Sequence, residues 1–442
     1  MAIIDRVAEF VYETSFEDIP NETVTYTKLL CSKIVAAMLS GATTQAGRKT
    51  IQHVESKGCK GESGVIGAGA RTSLEDAVFV NGITSHAAEL EDDQFPSAAS
   101  DITVFPVIFP LAENGKLTGR ELLGASALGM EVMTRLGMFT LSSKGITDLP
   151  FYGVIGAAIT AGKALNLSPP RLKSAVGISL GRASGYIINF GTDAHYIESA
   201  AACRDGLMAA QLAKQGMTGG TDVEKWVQDV CTGLPFDLDR ITQGLGQRPW
   251  HMHGIWVKKY PCCFLTHRHI DMMLEFLAET NVSYDTIEKI VIHVGPVDNT
   301  CNRPSPVDTE DARFSFHHIM AALMLDNDID SYHFTEEKIH DPRFREGWTK
   351  VSVENHLDWP AEFMSGDAKI EVLLADGKSI VRERRQAKGA PEFPLGLEEF
   401  RQLYRKYTRN VLSHEDMDRT WQMLTDLEKI DELDGFLSYL FR

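Results

Sequence analysis

The sequence predicts a mainly α protein, with an all-helical domain and a smaller α+β domain. Three observations carry that reading. Residues 1 to about 266 read as helices unusually dense in Ala and Gly, as in GRELLGASALGMEVMTRLGM, GVIGAAITAGKAL and SAAACRDGLMAAQLAKQG. Small residues three and four apart let helices approach closely, which predicts a tight bundle. Strand alternation enters only after about residue 285, and amphipathic helix returns after Pro391 and Pro394. At 442 residues two domains are expected, 1–266 with 395–442 forming the helical one and 267–394 the α+β one.

In chain order, MAIIDRVAEFVYETSF is amphipathic, carries Asp5 and Glu9, and has no signal-peptide core. The apolar segment SLEDAVFVNGITSHAAEL reads as a helix that runs into three acids, Glu89, Asp92 and Asp93. If the helix continues, Glu89 and Asp93 share a face with His86. Like charges at that spacing cost roughly 0.2–0.5 kcal/mol each, so a helix N-terminus, a cation or a ligand must offset them. ITVFPVIFPLAE follows at once and places the acids at a core boundary. Ser168-Pro169-Pro170 starts a further helix, with Ser168 as N-cap, and Gly216 and Gly219-Gly220 bracket the end of another. Ile287–Pro296 alternates as a strand with Ile290, Ile292 and Val294 on one face. Val351 and Val353 mark a second strand, His317–Leu325 a helix, and Ala368–Arg384 a hairpin turning at Asp376-Gly377.

A formal charge of −17 excludes nucleic acid and anionic membrane as partners, and means that an anion site must gather its cations locally. No apolar run approaches the roughly 18–20 residues of a membrane span. The seven cysteines are scattered without CxxC or Cys/His spacing, which reads as reduced thiols in the cytoplasm. Gly67-Ala68-Gly69 begins a GxGxxG that never completes, and no Walker loop or GxSxG is present. His251-Met252-His253 lacks a third ligand nearby and reads as ordinary loop histidines. What remains is a basic run from Lys258-Lys259-Tyr260 to Arg268-His269 at the proposed domain junction, His195 before an Ala-rich helix, and Arg313 to His318.

In this order the segments resemble the MmgE/PrpD family, over nearly the whole chain. The likeness rests on Asn81-Gly82 followed by His86 and the acids, on Gly153 to Gly156, and on Arg204-Asp205-Gly206. It continues through Lys258 to Cys263 with His267, Phe314-Ser315, and Gly389 to Leu395. The resemblance implies a helical domain and an α+β lid with the active site between them, a homodimer, and no metal or organic cofactor. It also implies a small anionic polycarboxylate substrate. Dehydratase and decarboxylase members carry aspartate where this chain has Glu89, threonine at Asp93, histidines at Ala99 and Thr147, lysine at His195 and tyrosine at His318. Lys258 keeps its type, and Cys263 and His267 match common family forms.

Losing several proton-transfer groups disfavours a dehydratase, which must protonate a leaving hydroxyl as well as abstract a proton. The branch that fits is an epimerase inverting an α-carbon of an amino-polycarboxylate such as iminodisuccinate. A 2-methylcitrate-type dehydratase, a cis-aconitate-type decarboxylase and an inactive binding relic are the alternatives. Inversion needs two acid/base groups on opposite faces and cations for the enediolate charge. His195 is expected as one base, and Lys258 or His318 as the other. Arg268 and Lys259 are expected to clamp carboxylates. Glu89 and Asp93 orient His195 or bind the substrate amine, and Asp92, Cys263 and His267 complete the binding set.

Overall fold

The computed structural model describes residues 2–97 and 99–441. It divides into two units: residues up to Trp256 together with those from Gly396 onward, and Val257–Leu395. The chain is mainly α. Among the described residues no helix is long and apolar enough to cross a membrane.

In the first unit the glycines mark where helices touch. The Leu74–His86 helix packs on Asp193–Lys214, which packs on Asp148–Ala164, which meets Gly119–Leu136. A Cβ on Gly82 would sit 2.7 Å from the Ala200 Cα, one on Gly206 2.4 Å from the Ala157 Cβ, and one on Gly129 1.9 Å from Thr160 Oγ1. The helices therefore approach too closely to admit a side chain at these glycines, in keeping with the Ala/Gly density. The Asn21–Ala42 helix lies against Leu74–His86 and receives Leu397–Thr408 on another side. Leu30, Ile34, Val78, Leu128, Ile155 and Leu207 are fully buried there, each contributing ~1.5–3 kcal/mol relative to exposure. Ser73 caps Leu74–His86 by accepting the Asp76 amide, and Thr118 with Glu121 forms a capping box. Ser168 precedes Pro169–Leu180 as its N-cap, but its side chain makes no cap bond.

The helix expected to run through the acidic cluster stops at His86, with Ala87 as its C-cap. Glu89 then takes a left-handed φ of 53°, and its amide donates to the His86 carbonyl at 2.8 Å. Asp93 lies in a two-residue strand, Asp93–Gln94, paired antiparallel with Ala99–Ser100 and with Ile255–Trp256. Glu89 and Asp93 therefore do not share a helical face. The side chain of Ala99, one of the two positions aligned with family histidines, lies outside the described residues.

The second unit is built on a four-stranded sheet. Its order is Val351–Asn355, Ile287–Val294, Ala368–Leu374, Ser379–Arg384, with the first pair parallel and the others antiparallel. Ile290, Ile292 and Val294 are all fully buried. Helices His267–Thr280 and Phe316–Asp326 pack on the sheet and on each other. The hairpin turns at Asp376-Gly377, where Gly377 takes a φ of 83° that a side chain would resist.

Candidate active site

The first unit gathers a buried histidine–carboxylate cluster where Leu74–His86 ends and Asp193–Lys214 begins. His86 has no exposure, and Glu89, Glu91 and His195 are 2%, 4% and 6% exposed. His86 Nε2 faces Glu89 Oε1 and Glu91 Oε1, each at 3.8 Å. Its Nδ1 lies 2.9 Å from Ser199 Oγ. Ser199 Oγ also donates to the Tyr196 carbonyl at 3.0 Å, which leaves its oxygen able to accept from His86 Nδ1–H. Nε2 is the nitrogen presented to the carboxylates.

The His195 ring meets His86 edge-on at 4.5 Å and leans on Phe190 at 4.7 Å. Its Nδ1 lies 3.8 Å from Glu198 Oε2. Glu198 is held by the Asn189 side-chain amide at 2.6 Å and the Tyr186 backbone N–H at 3.0 Å, both donating to Oε1. Two buried imidazoles in ring contact, each with a carboxylate close by, are chemically able to take up and pass on a proton. The turn that brings Glu89 back toward His86 holds a non-glycine residue at positive φ, a strain of order 1–3 kcal/mol of the kind that clusters at functional sites.

Beneath the cluster lies a charge set that shapes the loop. Lys33, in the apolar run CSKIVAAML, bonds the Leu90 carbonyl at 2.6 Å and Asp92 Oδ1 at 3.2 Å, and both side chains are fully buried. The Asp92 amide donates to Asp101 Oδ1 at 3.2 Å. Burial, and then the Asp92 charge, push the Asp101 carboxyl well above its usual range. Asp92, expected to bind substrate, is thus the loop's anchor. Asp93 is 6% exposed and stands beside this set in the small sheet. Thr147, the other position aligned with a family histidine, is the buried N-cap residue of Asp148–Ala164.

In the second unit Lys258 is 1% exposed. Lys259 reaches Asp271 Oδ1 at 3.0 Å, where Tyr260 Oη also donates at 2.7 Å. Asp271 Oδ2 accepts from Arg384 Nη1 at 3.1 Å and the Lys388 amide at 2.7 Å. Asp271 therefore ties the basic run to the last strand. His267 stacks on Phe264 at 4.7 Å, with Nε2 at 3.3 Å from the Cys262 carbonyl. Cys263 is buried, and its amide donates to the Arg313 carbonyl at 3.0 Å.

Two expected roles in this unit meet a physical obstacle. Arg268, expected as a carboxylate clamp, is fully buried; its Nη2 donates to Asp298 Oδ2 at 2.9 Å and its Nη1 to the Gly366 carbonyl at 2.9 Å. Burial raises the Asp298 pKa to about 6, against the opposing pull of Arg268. The guanidinium is thus engaged within its own unit. His318, expected as a base, is fully buried with Nε2 donating to the His333 carbonyl at 2.7 Å. Phe344, Phe334 and Trp348 surround it at 5.2–6.0 Å, and burial lowers its pKa to about 4. That is the environment of a neutral core imidazole.

Among the described residues two groups place potential metal ligands within reach of one another: His86 with Glu89 and Glu91, and His293 with Glu354 and His356. His253, by contrast, bonds Thr23 Oγ1 at 3.0 Å and stacks on Tyr26. Sequence reasoning missed Ser199, Glu91, Asp101 and the Lys33–Asp92 pair, and gave His86 no role. A lone lysine inside an apolar run was the available signal for the pair, since such a lysine must find a buried acid.

Comparison with known proteins adds to this geometry. Residues 5–226 match the MmgE/PrpD N-terminal domain and residues 260–429 the MmgE/PrpD C-terminal domain. The cis-aconitate decarboxylase of Homo sapiens is 28% identical over 378 residues, covering 80% of this chain and 77% of the relative. The cis-aconitate decarboxylase of Aspergillus terreus is 23% identical over 478 residues, covering 99% and 96%.

Proposed function

The chain belongs to the MmgE/PrpD family, and from that premise we propose that it is a lyase acting on a small unsaturated polycarboxylate, of the cis-aconitate decarboxylase type. The relatives' activity supports this ahead of the epimerase favoured by the sequence. The observation that carries the reading is the buried His86–His195 pair, with Glu89, Glu91 and Glu198 close to its nitrogens. Decarboxylation breaks the carbon–carboxylate bond, releases CO2 and leaves an electron pair on the substrate, which a general acid must protonate at carbon. An imidazole delivers that proton and is recharged from solvent. Exclusion of water favours loss of the carboxylate charge.

A second reading is supported by one feature. Each of the two touching imidazoles has a carboxylate 3.8 Å from a nitrogen, which supplies a proton acceptor or donor for one face of a carbon acid. Epimerisation of an amino-polycarboxylate would use this pair on one face and a further group on the other.

Nuclear magnetic resonance in deuterated buffer with cis-aconitate, 2-methylcitrate and iminodisuccinate separates these chemistries. The lyase proposal expects CO2 and one deuterium in the product from cis-aconitate. Deuterium wash-in with inversion of iminodisuccinate alone would replace it by the second reading, and no turnover of any of the three would overturn both.

A further inference from the structure

We propose that His293, Glu354 and His356 form a binding site for a divalent transition-metal ion on the sheet of the second unit. The site is separate in sequence and chemistry from the His86 cluster and does not depend on the proposed lyase activity.

The parallel pairing of Ile287–Val294 with Val351–Asn355 sets His293 opposite Glu354. His356 follows two residues later, and its amide is fixed on the Val294 carbonyl at 2.8 Å. Residues two apart on an extended chain point the same way, so Glu354 and His356 return to one side of the pair. The donors converge accordingly. His293 Nδ1 lies 2.9 Å from His356 Nε2 and 3.3 Å from Glu354 Oε2, and all three ligand atoms lie within 4.8 Å of one another.

Two imidazoles and a carboxylate are the donor set of an open tetrahedral zinc site, and imidazole also suits nickel and copper. Zinc–ligand bonds of ~2.0–2.1 Å at the tetrahedral angle need donors about 3.3 Å apart. The His293–Glu354 pair already has that spacing, and the two imidazoles need only open by a few tenths of an ångström. The His356 ring and the His293 backbone are held in place. His356 stacks on Trp359 at 4.4 Å with an interplanar angle of 10°, and the His293 carbonyl accepts from His269 Nε2 at 3.1 Å.

His293 faces charges of both signs. Lys369 is the register partner of His293 on the next strand and opposes a cation; Glu354 and Glu371 act on His293 in the other sense. The Glu354 side chain is 61% exposed, so an ion has a path in and a solvent-facing fourth position.

A trio joined only by hydrogen bonds would have similar spacings, and metal titration separates the two. The full chain, stripped with a chelator, is titrated with Co2+ and followed by its d–d absorption, then challenged with Zn2+. One equivalent of Co2+ is expected, displaced by Zn2+. Zn2+ should also raise the unfolding temperature. His356→Ala should abolish both effects. Glu354→Gln, at an exposed position that does not threaten folding, should weaken binding by at least the ~10–100-fold that loss of a ligand's hydrogen-bond partner costs. Absence of stoichiometric binding, or equal binding by the parent and both variants, would overturn the proposal.

Discussion

The Nδ1 of His86 and the hydroxyl of Ser199 lie 2.9 Å apart, joining the end of one helix to the first turns of another. Since Ser199 donates to Tyr196, this contact fixes which imidazole nitrogen faces Glu89 and Glu91. His86→Asn should lower kcat by about 10²–10⁴, the span of a lost acid/base group. Ser199→Ala removes only the orientation and should cost about ten- to a hundredfold, a part of that span, with KM little changed. Steady-state kinetics on the active substrate measure both. If Ser199→Ala changed KM alone, Ser199 would be a binding group and not a positioning one.

His318 tests a role read from the sequence. A base on which turnover depends cannot be replaced by an aliphatic side chain. A core imidazole surrounded by Phe334, Phe344 and Trp348 can. His318→Leu should keep kcat within about threefold of the parent. It should lose about 1–3 kcal/mol of stability, because the His333 carbonyl is left buried without its donor. Turnover and denaturant midpoints on one preparation decide the matter.

Much of the architecture was legible because backbone-scale patterns report it. Alternation at Ile290, Ile292 and Val294 marked a buried strand, and Asp376-Gly377 marked the turn of the Ala368–Arg384 hairpin, since both depend on local chemistry alone. The acidic cluster was legible as a place but not as a geometry. Helical spacing put Glu89 and Asp93 together, whereas Ala87 ends the helix and the positive φ of Glu89 folds the chain back. His86 reaches Glu89 and Glu91 by that turn and not by helix periodicity. Ser199 stands more than a hundred residues from His86, and no local pattern encodes such a contact. Arg268 and His318 have residue types that suit catalysis, and burial and partners show what each holds in the structure.

Asp148 gives stability a pH dependence of definite sign. Its carboxylate accepts from the Leu141 amide at 2.9 Å and the Thr140 hydroxyl at 2.8 Å, yet burial outweighs both and raises its pKa from 3.8 to about 7. The folded chain therefore keeps a proton that the unfolded chain releases. Stability from this group is fully present near pH 4, declines as pH rises to about 7, and is flat beyond. Asp148→Asn should remove that decline, a relative gain on the order of 1–3 kcal/mol at pH 8 over pH 5. Urea midpoints of parent and variant at the two pH values measure it. Parallel pH profiles would mean that Asp148 is ionised in both states.

Lys33, Asp92 and Asp101 should behave as one unit. Asp92 and Asp101 crowd one buried lysine, and burial with the Asp92 charge raises the Asp101 pKa, so Asp101 is the acid expected to hold a proton. Asp101→Asn then replaces a neutral group with another and should change stability by less than about 1 kcal/mol. Asp92→Asn removes the partner of Lys33, but Asp101 can ionise in its place and limit the loss. The double variant leaves the ammonium buried without either acid and should lose about 3–5 kcal/mol. The cycle must therefore be non-additive, with the double variant costing more than the sum of the singles. Additive losses in denaturant unfolding would show that Asp101 is ionised already and that the three charges act independently.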